Sequence, residues 1–129
     1  MTQEMRLVLT VDDFDNATKF FRDVLGLPQV AAFQNGGGHA VLLDAGRATL
    51  EIFDKAQARA IDEIEVGRRV AGPIRVAFEV SDSETAANDL AQAGGEIIGG
   101  PVTTPWRDRN VRLAGPEGIQ MTLFTPPAE

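Results

Sequence analysis

Four side chains in this chain combine a chemically useful type with a repeated placement: Arg6, Glu51, Arg75 and Thr122. Each stands in a short run where apolar residues alternate with others, and each falls opposite the apolar set. Leu7, Leu9 and Val11 alternate with Arg6, Val8 and Thr10, and Leu50 and Ile52 with Thr49, Glu51 and Phe53. Val76, Phe78 and Val80 alternate with Arg75, Ala77 and Glu79, and Met121 and Leu123 with Gln120, Thr122 and Phe124. Successive side chains of a strand point to opposite faces. The apolar sets therefore offer one face for helices to cover. The other face mixes Arg, Glu, Gln and Thr with Val8, Phe53 and Phe124. A solvated sheet can look like this, but large aromatics among a few placed polar groups favour a cavity that takes a small molecule.

Other chemistries are excluded by composition. With no cysteine there is no disulfide framework, thiol nucleophile or thiolate metal site. His39 is the only histidine, so no His-based metal site can be built, no Ser/His/Asp arrangement stands out, and it reads as a turn-edge residue. Gly36-Gly-Gly38 has no Lys-Ser/Thr sequel and leads into no helix, so it is a hairpin tip and not a phosphate loop. The formal net charge is −7, which disfavours nucleic acid and suits a cationic or neutral ligand better than an anionic one. No apolar run is long enough to span a membrane. The opening Met1-Thr-Gln-Glu-Met-Arg6 lacks the basic and apolar regions of a signal peptide, so a cytoplasmic location is expected.

The elements that must position these side chains form a repeat. Arg6–Val11 reads as a strand, after which Asp13 caps a helix to about Leu25, with Ala17, Phe20, Phe21, Val24 and Leu25 on its apolar face and Gly26 past its end. Strands follow near Gln29–Phe33, His39–Asp44 and Thr49–Phe53. The second half has the same order. Ile74–Val80 is a strand, Ser81-Asp-Ser-Glu84 a capping box, and a helix carries Ala86, Ala87, Leu90 and Ala93 before Gly94. Strands are expected near Glu96–Val102, Asn110–Ala114 and Ile119–Phe124, the last two joined by a turn at Pro116-Glu-Gly118. Arg6-x-x-x-x-Val11-x-Asp13 matches Arg75-x-x-x-x-Val80-x-Asp82, and Leu50-Glu-Ile-Phe53 matches Met121-Thr-Leu-Phe124. One domain of two β-α-β-β-β modules is expected, about 1–54 and 74–129, joined by a charged, Ala-rich and partly helical linker over about 55–73.

Three motifs in order resemble the vicinal-oxygen-chelate superfamily of glyoxalases, bleomycin-resistance proteins and dioxygenases. They are Val11-x-Asp13 with Phe20-Phe-Arg-Asp-Val-Leu-Gly26, then Val76-Ala-Phe-Glu-Val80-x-Asp82, then Thr104-Pro-Trp-Arg-Asp-Arg-Asn-Val-Arg112 with Gly115-Pro-Glu-Gly118. The resemblance implies an α+β fold: paired βαβββ modules forming a curled mixed sheet around a pocket, helices outside, commonly in a homodimer. Metal-using members place His, Gln or Glu ligands on the first and last strands of each module. Carried over residue by residue, those positions are Arg6, Glu51, Arg75 and Thr122, and only Glu51 keeps a usual ligand type. Arginine offers a metal no lone pair, so no metal and no cofactor is expected.

The substitutions suggest ion pairs instead. Arg6 is expected to pair with Glu51, and Arg75 with Glu79 or with an acceptor on a ligand, because an unpaired buried charge is costly. Trp106, the only tryptophan, is placed near the pocket mouth, where it can stack on a planar ligand; hairpin packing is its alternative. Arg107, Arg109 and Arg112 read as a solvated strand edge. The expected function is metal-independent binding of an antibiotic-like small molecule, aromatic or cationic, through Arg6, Glu51, Phe53, Arg75, Trp106, Thr122 and Phe124. The alternative is a lyase, isomerase or dioxygenase with an atypical site around Glu51, or a metal-free enzyme with Glu51 or Glu79 as general base.

Overall fold

The computed structural model describes residues 2–24 and 26–128. In chain order it contains β1 (Thr2–Thr10), α1 (Phe14–Thr18), β2 (Gln29–Asn35), β3 (Gly38–Asp44), β4 (Thr49–Phe53), α2 (Lys55–Glu65), β5 (Ile74–Val80), α3 (Ser83–Gln92), β6 (Glu96–Thr103), β7 (Arg109–Ala114) and β8 (Gln120–Thr125). The strands make one mixed sheet in the order β2-β3-β4-β1-β5-β8-β7-β6. Two βαβββ units are visible in that order. Each has its first strand parallel to its last, and the units join through antiparallel β1 and β5. Among the described residues no helix is long and apolar enough to cross a membrane.

Strand parity holds across the outer face. Leu7, Leu9 and Val11 pack with Val41, Leu43, Leu50 and Ile52 under Phe14, Ala17 and Phe21 of the first helical segment. Val80, Val111, Leu113 and Leu123 pack with Phe78 under Ala86 and Ala87 of α3. The first helix departs from expectation. Asp13 caps it, accepting from the Asn16 amide, but after Thr18 the chain passes into a π-helical stretch, Lys19–Val24. Its wider i→i+5 turn rotates the face. Ala17 and Phe21 stay on the core, while Phe20 and Val24 end up 59% and 73% exposed. Leu25, the expected end of that helix, lies outside the described residues. At α3 the cap is Asp82, whose carboxylate accepts from the Thr85 amide; Ser81 and Glu84 form no capping box, and Glu84 pairs with Arg109.

The segment between the modules supplies a third helix on the inner face. Lys55–Glu65 has no Gly or Pro and is rich in Ala. Asp54 caps it through the Gln57 amide, and Gly67, at φ 87°, lies just past its end. Ala58 and Ile61 of α2 pack on Val8, Ala40 and Phe53, the face opposite the outer core. The helix touches the sheet near both of its ends. A Cβ on Gly38 of β3 would stand 1.9 Å from the Gln57 amide nitrogen, and one on Gly99 of β6 2.1 Å from the Glu65 carbonyl oxygen. β3 and β6 are six strand spacings apart in the sheet, ~29 Å if it were flat. A helix of 11 residues spans only ~16 Å. The sheet must therefore curl around α2, and glycine is required at both contacts.

This sets a stability test. Gly38→Ala and Gly99→Ala should each lower unfolding free energy by about 1–3 kcal/mol, the scale of overpacking. Gly72→Ala, with nothing within 4 Å of the added methyl, should change little. Chemical denaturation of the three variants checks this, and equal stability would remove the close helix–sheet contact.

Candidate functional site

The curl encloses a cavity of about 290 Å³ between α2 and the inner face of the sheet. Register explains what lines it. Glu51 of β4 and Arg75 of β5 both pair with Val8 of β1. Arg6 pairs with Ala77, Ala77 with Thr122, and Thr122 with Arg112, in a neighbouring row that crosses β1, β5, β8 and β7. Phe53 and Phe124 stand further along β4 and β8. All of Arg6, Glu51, Phe53, Arg75, Trp106, Thr122 and Phe124 line this one cavity, together with Gln57, Ile61 and Glu65 from α2 and Asp108 and Asn110 from the β6–β7 hairpin. Trp106 is 38% exposed in the turn between β6 and β7, and its indole N–H donates to Asp108 at 3.0 Å.

The aromatic rings already carry charge. The Arg6 guanidinium lies over the Phe124 ring, 4.9 Å from its centroid, and the Arg75 guanidinium over Phe53 at 5.6 Å. Each arginine stacks on the phenylalanine of the opposite module. The two contacts are related by the repeat, since Arg6 matches Arg75 and Phe53 matches Phe124.

The ion pairs differ from those expected. Arg6 pairs with Glu4 at 3.1 Å instead of with Glu51. Glu4 is two residues away on the same face of β1, so its carboxylate is the nearer one, and the Thr49 hydroxyl also donates to it. Arg75 does not reach Glu79; its Nη1 donates to the Thr122 hydroxyl at 2.8 Å. Four residues along an extended strand is about 13 Å, too far for such a pair.

Arg112 is no strand edge. It is fully buried, because Val111 and Leu113 take the outer core and leave Asn110 and Arg112 facing inward. Its Nη1 donates to Asp62 at 2.7 Å, and its Nε to Glu65 and to Thr122, each at 3.1 Å. The Thr122 hydroxyl donates to Glu65 at 2.7 Å, and the Asn110 side-chain amide donates to the other Glu65 oxygen at 3.2 Å. Asp62 also accepts from Arg69 and from the amides of Val70 and Ala71. Burial pushes the Asp62 pKa up, but those amides and Arg112 outweigh it and hold it below the usual carboxylate value. Asp62 and Glu65 lie three apart on the buried stripe of α2, beside Ala58 and Ile61. The parity of β7 and the helical spacing of 58, 61, 62 and 65 are the sequence signals that point to Arg112, Asp62 and Glu65.

The Arg112 Nη2 and Asn110 Oδ1 atoms of the cluster, and the Arg6 Nε atom, are buried without a partner. Glu51 stands outside the cluster. Among the described residues it has no hydrogen-bond or ion-pair partner. Burial pushes its pKa above the usual carboxylate value, against the pull of Arg75 and Arg6 and with the push of Glu65 and Glu4. Burial also raises Asp108, opposed by the Trp106 N–H and by Arg6, and lowers Arg75, which remains a cation. His39 stands apart, at the start of β3, with Nδ1 3.1 Å from Asp54.

These residues do not fit a metal ion. Two of the four positions are guanidiniums. The Thr122 hydroxyl is spent on three hydrogen bonds, and Glu51 is alone. Among the described residues no group of three His, Cys, Asp or Glu side chains could hold a metal.

The family model of the Glyoxalase/Bleomycin resistance protein/Dioxygenase superfamily matches residues 5–123. The chain belongs to this superfamily. Its fold is similar to that of a hypothetical protein of Bacillus halodurans C-125, with TM-score 0.74 and 14% identity over 99% of this chain and 96% of the other. It is also similar to a Streptomyces coelicolor methylmalonyl-CoA epimerase variant in complex with 2-nitronate-propionyl-CoA, with TM-score 0.68 and 19% identity over 99% and 100% of the two chains. The Mycobacterium tuberculosis methylmalonyl-CoA epimerase has TM-score 0.67 and 19% identity over 95% and 87%. At these identities the likeness is one of fold. No curated protein matches the chain.

Two measurements test the electrostatics. Arg112→Met leaves Glu65 buried without its cation, and Asp62 with Arg69 alone, and should cost about 3–5 kcal/mol in unfolding free energy. Glu51 acts oppositely. Its folded-state pKa is raised, so between the unfolded and folded values the native state binds the extra proton and stability falls as pH rises. Glu51→Gln should therefore stabilise the protein above that window and change little below it, as read by denaturation at pH 4 and pH 8. Stabilisation that is equal at both pH values would refute the desolvated, unpaired carboxyl.

Proposed function

We propose that the protein is a metal-independent small-molecule binder that encloses an aromatic, antibiotic-like ligand in the cavity under α2. The observation that carries this reading is the cavity itself: aromatic walls from Phe33, Phe53, Phe124 and Trp106 around a few polar groups that are not all satisfied within the chain. Ligand pockets combine apolar walls with a small number of placed polar groups in this way. Trp106 at the mouth gives a planar ligand a stacking surface and the experimenter an intrinsic probe, since it is the only tryptophan. Planar compounds titrated into chelator-treated protein should change its fluorescence with the same affinity as in untreated protein. Trp106→Ala should weaken that binding by about 1 kcal/mol, the scale of a lost aromatic contact. Binding that disappears with chelation removes the metal-free reading, and unchanged binding by Trp106→Ala removes the stacking.

A second reading rests on Glu51. A half-buried, cavity-facing carboxyl with a raised pKa, across a cavity from a guanidinium, suits a general base that faces a developing oxyanion. Turnover by chelator-treated protein that is lost in Glu51→Gln would put catalysis in place of sequestration.

We also propose that the protein is a homodimer, as the family implies. β2 ends the sheet and carries the exposed Val30 and Phe33, an edge that association would cover. Light scattering at micromolar concentration should return twice the chain mass; a monomer mass rules the dimer out.

A further inference from the structure

The two functional charges of the inner face are in one row but do not meet. Glu51 and Arg75 lie on either side of Val8, so their Cα atoms are ~10 Å apart, two strand spacings. Both line the cavity. Among the described residues Glu51 has no hydrogen-bond or ion-pair partner, and the one side-chain hydrogen bond of Arg75 goes to Thr122. The floor between them is Val8 and Ala77, both buried and apolar, so no polar side chain stands directly between them, and Arg6, beside them on β1, is paired with Glu4. Arg75 is held in place by its stacking on Phe53.

The repeat shows why the gap exists. In module two, Thr122 stands where Glu51 stands in module one, with the Glu65 carboxylate behind it. Arg112, in register on β7, serves that pair. The residue in register with Glu51 on β3 is Leu42. One half of the site thus contains its own donor, and in the other half an aliphatic side chain occupies the donor's place.

We propose that the cavity takes a neutral ligand with an N–H donor and a carbonyl acceptor side by side, a primary carboxamide or ring lactam, donating to Glu51 and accepting from Arg75. This rests on the binding reading above and names its ligand class. A carboxylate ligand would reach Arg75 but set like charge against Glu51. An amidinium would reach Glu51 but set like charge against Arg75 and Arg6. Inside a cavity of low dielectric such contacts are strongly selected against. A neutral amide gives each of the two charges a complementary partner and adds no charge.

The test uses benzamide, benzoate and benzamidine, three probes of one shape that differ in this group, titrated into the intact protein. Trp106 fluorescence and protein NMR shifts give the readout. Benzamide should bind at least about tenfold more tightly than either charged probe. An ionised carboxylate accepts the benzamide N–H more strongly than a protonated carboxyl, so binding should weaken as pH falls through the Glu51 pKa. The charged groups facing Glu51 are Arg6 and Glu4 of β1, Arg75 of β5 and Glu65 of α2, with Leu42 adding none from β3. Glu51→Gln keeps an acceptor oxygen without the charge, so it should bind benzamide at every pH about as the parent does at low pH. Glu51→Leu and Arg75→Leu should each weaken benzamide binding about tenfold, with native-like thermal unfolding as the control for folding. Benzoate or benzamidine binding as tightly as benzamide overturns the amide class but leaves the binding reading intact. So does full benzamide affinity in Glu51→Leu. Silence of all three probes at tens-of-millimolar concentration also overturns the amide class, and the wider fluorescence screen then decides the binding reading separately.

Discussion

The grip of Arg112 on Asp62 and Glu65 is the contact on which the inner half of the molecule depends. It joins the middle of β7 to α2 across the concave face. It also fixes the chain that follows the helix, because the second Asp62 oxygen collects Arg69 and two backbone amides. A buried ionic cluster of this kind is a poor source of stability, since desolvating three charges offsets most of their attraction. What it supplies is position. An apolar stripe alone lets a helix shift along a sheet at small cost, whereas a fork held between two carboxylates three residues apart tolerates one register. The helix must sit in that register for Gly38 and Gly99 to meet its backbone and for Ile61 and Gln57 to stop short of filling the cavity.

The cluster also breaks the symmetry of the repeat. The two modules give the inner face matched residues: Arg6 and Arg75, Phe53 and Phe124, and the reciprocal stacking of each arginine on the other module's ring. A fully symmetric face would leave two equivalent polar ends. α2 comes from the joint between modules and has no counterpart, so it can satisfy only one of them. Its Glu65 closes the module-two end with Thr122 and Arg112, and the module-one end keeps Glu51 open. A single helix thus converts a duplicated surface into a directional pocket.

Much of this was legible in the sequence because it follows from parity. Strand alternation has a period of two, so the apolar sets of β1, β4, β5 and β8 fix which residues face inward, and the repeat confirms the assignment strand by strand. The same rule applied to β7 would have turned Arg112 inward; reading Arg107, Arg109 and Arg112 as a group concealed it, since only Arg112 alternates with Val111 and Leu113. Pairing was less legible than placement. Strand register decides whether Arg6 can reach Glu51 on β4, and nothing in a single strand's sequence states what lies on the next strand. The inner position of α2 was hidden for a related reason. Its buried stripe carries Asp62 and Glu65 beside Ile61, and acids on a helix ordinarily mark the solvent side. The π-helical stretch has no local signature in Lys19–Val24 that separates it from an α-helix.

Net charge is a weak guide to what such a pocket prefers. The formal charge of −7 acts over the outer surface, where salt screens it within about 10 Å. Inside the cavity the field comes from a few groups at short range, and these include three guanidiniums facing Glu51, Glu65, Asp62 and Asp108. Arg112 is neutralised by α2 and Arg6 by Glu4, and Asp108 accepts from the Trp106 N–H, which leaves Arg75 and Glu51 as opposed charges of one strand row without an ion pair. Two opposite charges held apart over an apolar floor form a dipole fixed by the sheet. A ligand's net charge can satisfy only one end of it, so orientation of the ligand's own dipole, and not its sign of charge, is the property this arrangement selects.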